Sequence, residues 1–102
     1  MDNYSLNFIN IDTNIYKIIV NKDLNFKNIP LFIKHIEDRI DYCEEILIDL
    51  LNLDSMDISV IGGILSLHSK YNCKIKILNI NSNVRKIINL VKFHDAHFIE
   101  II

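Results

Sequence analysis

At 102 residues, half of them hydrophobic and 24% charged, the chain suits one folded domain around one core, which excludes a multidomain reading and intrinsic disorder. Eleven basic against thirteen acidic residues leave a formal net charge of -2, which gives no electrostatic hold on nucleic-acid phosphates or an anionic bilayer. No apolar run approaches the roughly 18 residues of a membrane span, and Met1-Asp2-Asn3-Tyr4 lacks the features of a signal peptide, so a cytoplasmic protein without membrane insertion is expected.

Two isoleucine-rich runs, Ser5 to Ile11 and Ile15 to Val20, flank Asp12-Thr13-Asn14, whose short polar side chains favour a tight turn; this predicts a β-hairpin. After the polar stretch from Asn21 to Asn28, Pro30 suits an early helical position. Phe32, Ile33, Ile36 and Ile40 then recur at helical spacing, with Lys34, Glu37, Asp38 and Asp41 between them, predicting an amphipathic helix that ends near Tyr42. The short apolar run Glu45 to Leu50 reads as a strand covered on both faces. Ile58, Ile61, Ile64, Leu65 and His68 form one stripe of a second helix. Lys74 to Asn79 alternates as a strand. Asn81 or Ser82 can cap a third helix carrying Val84, Ile87, Ile88 and Val91, and His97 to Ile102 closes the chain as a last strand. Strands alternating with helices require crossovers. The expected fold is therefore a single α/β domain over residues 1–102, with a mostly parallel sheet of about five strands, an opening hairpin, and helices packed on it.

Catalytic chemistry finds little support. Gly62 and Gly63 are the only glycines and are adjacent, so no dinucleotide or phosphate-cradling loop with spaced glycines can be written, and no cofactor is expected. His94 and His97 could place two nitrogens near one metal but lack a third ligand at a sensible spacing, so no metal is expected. His68 reads as a partly buried helix residue and His35 as a surface one. Cys43 and Cys73 have neither metal-ligand spacing nor a histidine partner in sequence and read as buried structural thiols rather than a disulfide. The segment from Leu51 to Gly63 is different. It joins the carboxyl end of a strand to a helix amino end, where open α/β sheets place ligands and helix amides favour anions. Asp54, Ser55 and Asp57 equally suit a plain turn and helix cap, Asp57 or Ser55 being the cap.

The same segment resembles the STAS domain, and within it the bacterial anti-sigma factor antagonists, which carry a strand ending in Asp-Leu and then Met-Asp-Ser-Ser-Gly-Leu-Gly opening a helix. Asp49-Leu50 matches the strand end, Met56-Asp57 the next landmark, Ser59 the second serine, Ile61 the apolar residue and Gly62 the second glycine. Downstream, Lys74 to Asn79 is similar to the family's next strand, Ser82-Asn83-Val84-Arg85-Lys86-Ile87-Ile88 to its Ser-Pro-Glu-Val-Arg-Arg-Val-Leu helix start, and Phe98-Ile99-Glu100-Ile101 to its closing strand. Upstream, Asp23-Leu24-Asn25 stands in place of a Gly-Glu-Leu-Asp turn.

The resemblance implies a non-catalytic regulatory module that works by partner switching. Such a protein binds an anti-sigma factor that is also a serine kinase, frees the sigma factor for transcription, and is turned off by phosphorylation of its serine. The implied partner-binding residues are Asp23, Asn25, Asp54, Ser55, Met56, Asp57, Ile58, Ser59 and Gly62, on a loop from Asp54 to Gly62 and its neighbourhood. The chain departs from the family at the decisive position: the phosphorylated serine is Ile58 here and the first glycine is Val60. Ser59, one residue along, is the candidate phosphoacceptor, although a helical step of about 100° points it elsewhere. A second implied reading is the cytoplasmic STAS subunit of a membrane lipid-transport complex, which also works by docking and often lacks the serine switch.

Overall fold

The computed structural model describes residues 4–91 and 99–101. Strands β1 (Tyr4–Asp12) and β2 (Ile15–Leu24) form the hairpin, α1 (Ile29–Arg39) follows, and β3 (Glu45–Asp49) leads into β4 (Leu53–Met56). Then come α2 (Ser59–Tyr71), β5 (Lys74–Leu78), α3 (Ser82–Val91) and β6 (Ile99–Ile101). The sheet runs β1-β2-β3-β5-β6, with β4 paired to β2; among the described residues only the β1–β2 pair is antiparallel. The expected mostly parallel α/β sheet is therefore found, with one strand more than the sequence suggested.

The additional strand explains the shape of the candidate site. Ile15 to Ile19 of β2 pair with β3, but Lys22 to Leu24 pair with β4. Chain 50–52 turns out between the two partners, closed by Leu53 N–H donating to Leu50 O at 3.1 Å, and Lys22 N–H donates to Asn52 O at 2.9 Å. A register irregularity at Lys22/Asp23, with Lys22 at φ 71°, lets β2 change partners. So β2 extends four residues beyond the Val20 end expected from its apolar run.

Along the central strands the buried residues alternate: Ile18 and Val20, Ile46 and Ile48, Ile75 and Ile77. They face α1 and α2, whose Phe32, Ile36, Val60, Ile61, Ile64 and Leu67 complete the core with Val84 and Ile88 of α3. Burying each such side chain contributes about 1.5–3 kcal/mol. Glu45, Leu47 and Asp49 of β3 alternate with Ile46 and Ile48, so they lie on the opposite face of the sheet. There Lys17 pairs with Asp49 at 3.4 Å and Lys76 with Glu45 at 3.0 Å. Glu45 and Leu47 are only half-buried, so β3 is fully covered on one face, not two.

Two helix readings need correction. Leu65 is exposed and does not face the sheet, and Ile58, expected on the same stripe, is exposed just ahead of the helix; the buried stripe of α2 runs through Val60, Ile61, Ile64, Leu67 and Tyr71. And α1 stops at Arg39, with Ile40 already extended, three residues before Tyr42. His35 is half-buried rather than on the surface. The helices lie close together: a Cβ at Gly63 would sit 3.3 Å from Ile29 side-chain carbons, and Lys70 of α2 pairs with Glu37 of α1. The hairpin turn is as read, with Thr13 N–H donating to Asp12 Oδ1 at 2.7 Å and Asn14 at φ 60°.

Candidate functional site

The site is built where β2 and β4 end side by side and α2 begins. In the parallel register Asp23 lies opposite Ser55 and Leu24 opposite Met56, and Asp57 N–H continues the ladder by donating to Leu24 O at 3.2 Å. The chain after β2 must then turn towards α1. Asn25 Oδ1 accepts from Lys27 N–H at 2.9 Å, an Asx turn, while Asn25 N–H donates to Asn28 Oδ1 at 2.8 Å. The buried Asn28 also donates from Nδ2 to Asp23 O at 3.0 Å. One side chain thus satisfies a donor and an acceptor across the turn.

Asp57 joins this turn to the helix. Its Oδ2 accepts from Phe26 N–H at 2.9 Å, its Oδ1 from Ser59 N–H at 3.0 Å, and Ser59 Oγ donates to the same Oδ1. The 3.2 Å bond from Val60 N–H to Asp57 O closes the first turn of α2, so Asp57 caps it as the sequence allows. Burial alone would raise the Asp57 carboxyl; the hydrogen bonds from Ser59 and Phe26 outweigh it and hold the group below the usual aspartate range.

Between these anchors apolar side chains stand in solvent. Phe26 is 66% exposed and Ile58 is 54% exposed, and Leu51, after β3 at the same end of the sheet, is exposed too. Exposed large apolar residues collected on a rigidly hydrogen-bonded support are the form of a protein-recognition surface.

The structure brings together most of the residues singled out from the sequence. Asp23, Asn25, Asp57, Ile58 and Ser59 converge within the turn, strand end and helix start. Asp54 and Ser55 lie on β4 rather than on a loop. The stretch from Asp54 to Gly62 is therefore not a loop: it is the last three residues of a four-residue strand, a two-residue connection and the first turn of a helix. Met56 is buried and belongs to the core, not to a contact surface. Gly62 faces open space with nothing within 4 Å of a Cβ, so the tightly packed position is Gly63 instead, where a Cβ would press on the Ile29 side chain. Sequence reasoning missed Asn28 and Phe26; the Asn25–Asn28 spacing just ahead of Pro30 is the signal that could have found the turn.

Elsewhere, Asp49, held below the usual range despite burial, accepts from Leu51 N–H at 2.9 Å and Asn79 Nδ2 at 3.1 Å and pairs with Lys17, fixing the end of β3. Asn81 is the observed cap of α3, its Oδ1 accepting from Val84 N–H at 2.9 Å, and its Nδ2 reaches Leu53 O on β4 at 3.4 Å. His68 Nδ1 lies 2.8 Å from Cys73 O, which gives it a structural role. Among the described residues no three His, Cys, Asp or Glu side chains gather as a metal would need, and His94 and His97 lie outside them. No described helix is long and apolar enough to cross a membrane.

Sheet order and parallel crossovers define the class: an α/β domain of the anti-sigma factor antagonist fold. The STAS domain family model matches residues 9–100, and the chain belongs to the STAS domain family. Among solved structures it is similar to the anti-sigma factor antagonist SpoIIAA in its unphosphorylated form, with a TM-score of 0.78 and 14% identity over 96% of this chain and 88% of that one. A putative anti-sigma factor antagonist from Thermotoga maritima gives a TM-score of 0.82 and 20% identity over 94% of this chain and 84% of that one. An anti-sigma factor antagonist from Mycobacterium paratuberculosis gives 0.80 and 12% over 95% and 85%. No curated protein sequence is matched by the chain.

Proposed function

We propose that the chain, as one STAS domain, is a non-catalytic, cytoplasmic regulatory module that binds a protein partner of the anti-sigma factor/serine kinase type through the β4–α2 end of its sheet. The observation that carries this reading is the exposed Ile58, projecting beside Phe26 from a turn that Asp57 and Asn28 lock by hydrogen bonds. At the position where the resembling antagonists accept phosphate, this chain presents an apolar anchor.

Ile58 has no hydroxyl, so phosphate cannot be carried there, and Ser59 is a poor substitute. Its Oγ is already engaged with Asp57 Oδ1, and a phosphate of about two negative charges would displace that bond beside a carboxylate. Partner binding is therefore constitutive with respect to this serine switch, and control lies with the partner's availability.

Calorimetric titration of wild type, Ser59→Asp and an Arg85→Ala control against an anti-sigma factor kinase from the same genome tests the reading. Ser59→Asp should weaken binding by about 1–3 kcal/mol, with Arg85→Ala unchanged. Equal affinity for wild type and Ser59→Asp, with Arg85→Ala abolishing binding, would move the interface to α3 and defeat it.

A further inference from the structure

One long strand edge of the sheet has no strand beside it among the described residues. At the far edge β6 is three residues as described, and β4 is only four residues and is bridged to α3 by Asn81 Nδ2, which reaches Leu53 O. By contrast β1 is nine residues long and, among the described residues, pairs with β2 alone. Tyr4 to Asn10 lie in unbroken register with Lys22 to Tyr16, and the irregularity at Asn10/Asp12 falls beside the hairpin turn. Leu6 and Phe8 lie opposite the buried Val20 and Ile18 and so take the helix face, where Arg39 stands over the Phe8 ring at 4.8 Å. Asn7 and Ile9, opposite Ile19 and Lys17, take the open face, and Ile9 is 44% exposed and Ile11 53%. Edge strands are ordinarily protected against pairing by lysine, proline, a bulge or shortness. From Tyr4 to Ile11 there is neither a charged residue nor a proline.

We propose that β1 is an interaction surface for a second copy of this chain, the two β1 strands pairing antiparallel about a twofold axis within the stretch Tyr4 to Asn10, so that two sheets become one. Charge favours a second copy over a foreign strand. An uncharged strand has nothing with which to select a partner of opposite charge, whereas pairing with its own copy brings no like charges together. Asp12, the only charged residue on β1, sits at one end, and the antiparallel arrangement carries the two Asp12 side chains to opposite ends. On the open face the pairing continues the apolar surface of Ile9 and Ile19 into the second copy, while the outward N–H and C=O groups of β1 exchange water for each other. Such an axis is perpendicular to the sheet. The parallel strands of the two copies then run in opposite directions, and their β4–α2 ends lie at opposite ends of the assembly, both open. Dimer formation is thus independent of the partner proposed for those ends.

Analytical ultracentrifugation of the wild-type chain over a wide concentration range should show a reversible monomer–dimer equilibrium. Amide hydrogen exchange along β1 should slow as concentration rises, with that along β5, between β3 and β6, unchanged. Ile9→Lys, at an exposed position, should keep the wild-type circular dichroism and raise the dimer dissociation constant by roughly tenfold or more, because each copy then brings a positive charge to the shared edge. Ile58→Lys, at the recognition end, should leave that constant unchanged. A chain that stays monomeric at every concentration, open-ended aggregates in place of a dimer, or a dimer whose formation leaves β1 exchange unchanged would each overturn the proposal. So would a dimer that Ile58→Lys abolishes and Ile9→Lys spares. The concentration dependence of exchange in the wild type decides the matter even if Ile9→Lys does not fold.

Discussion

The two ends of α2 are built on opposite principles. At its start, side-chain carboxylate and amide groups spend their hydrogen bonds on backbone N–H and C=O groups, Asp57 on Phe26 and Ser59, Asn28 on Asn25 and Asp23, and leave Phe26 and Ile58 in solvent. At its end a buried polar group is satisfied: Tyr71 Oη donates to Ile40 O at 2.7 Å, and burial pushes its phenol up to about 12. Asn72, at φ 50°, closes the helix by donating to His68 O at 2.7 Å. A partner can reach the first end without unfolding anything. The second end holds the fold together.

The largest effect separates packing from recognition. Ile64, 1% exposed in the middle of α2, serves both ends, and Ile64→Asp places an unpaired charge in the core at a cost of several kcal/mol, comparable to the whole stability of a small domain. Thermal denaturation should show no cooperative transition; an unchanged melting temperature would break the placement of α2 on the sheet.

Asp57→Ala should cost about 1–3 kcal/mol, since it removes a helix cap and leaves Phe26 N–H without its partner. The sign with pH follows from its lowered carboxyl: the stabilisation is full above the unfolded value near pH 4 and is lost as pH falls through the lower folded value. Urea titrations should therefore find the gap between wild type and Asp57→Ala constant above about pH 5 and narrowing below about pH 4.

Smaller still, Gly62→Ala should stabilise by about 0.5–1 kcal/mol, because its Cβ meets open space within a helix. Gly63→Val should destabilise by about 1–3 kcal/mol by pressing on Ile29. The opposite ranking would return the tightly packed glycine to the position suggested by the family motif.

Much of this was legible in the sequence where one period repeats without interruption. Ile46 and Ile48, Ile75 and Ile77, and Phe32 and Ile36 announce their faces because nothing polar breaks the pattern. β4 was not legible: Leu53-Asp54-Ser55-Met56 is four residues long and polar in its middle, and its pairing with β2 depends on a left-handed Lys22 that no local pattern reveals. Leu65 misled because Ile64-Leu65 are both apolar and only tertiary packing selects which side of the stripe is covered. Asn28 looked like linker polarity because its partners, Asp23 O and Asn25 N–H, become neighbours only once the turn forms. The motif pointed to the β4–α2 junction, and the geometry there puts Met56 in the core and Gly62 on an open helix surface.

The claim that Ile58 has replaced a phosphate switch with an apolar anchor is tested most directly by phosphorylation of wild type and Ile58→Ser with an anti-sigma factor serine kinase and ATP, mapped by peptide mass spectrometry. The account predicts no phosphate on the wild type and phosphate at position 58 of Ile58→Ser, whose binding to the kinase falls once modified. Stoichiometric phosphate on Ser59 of the wild type, with loss of binding, would contradict it.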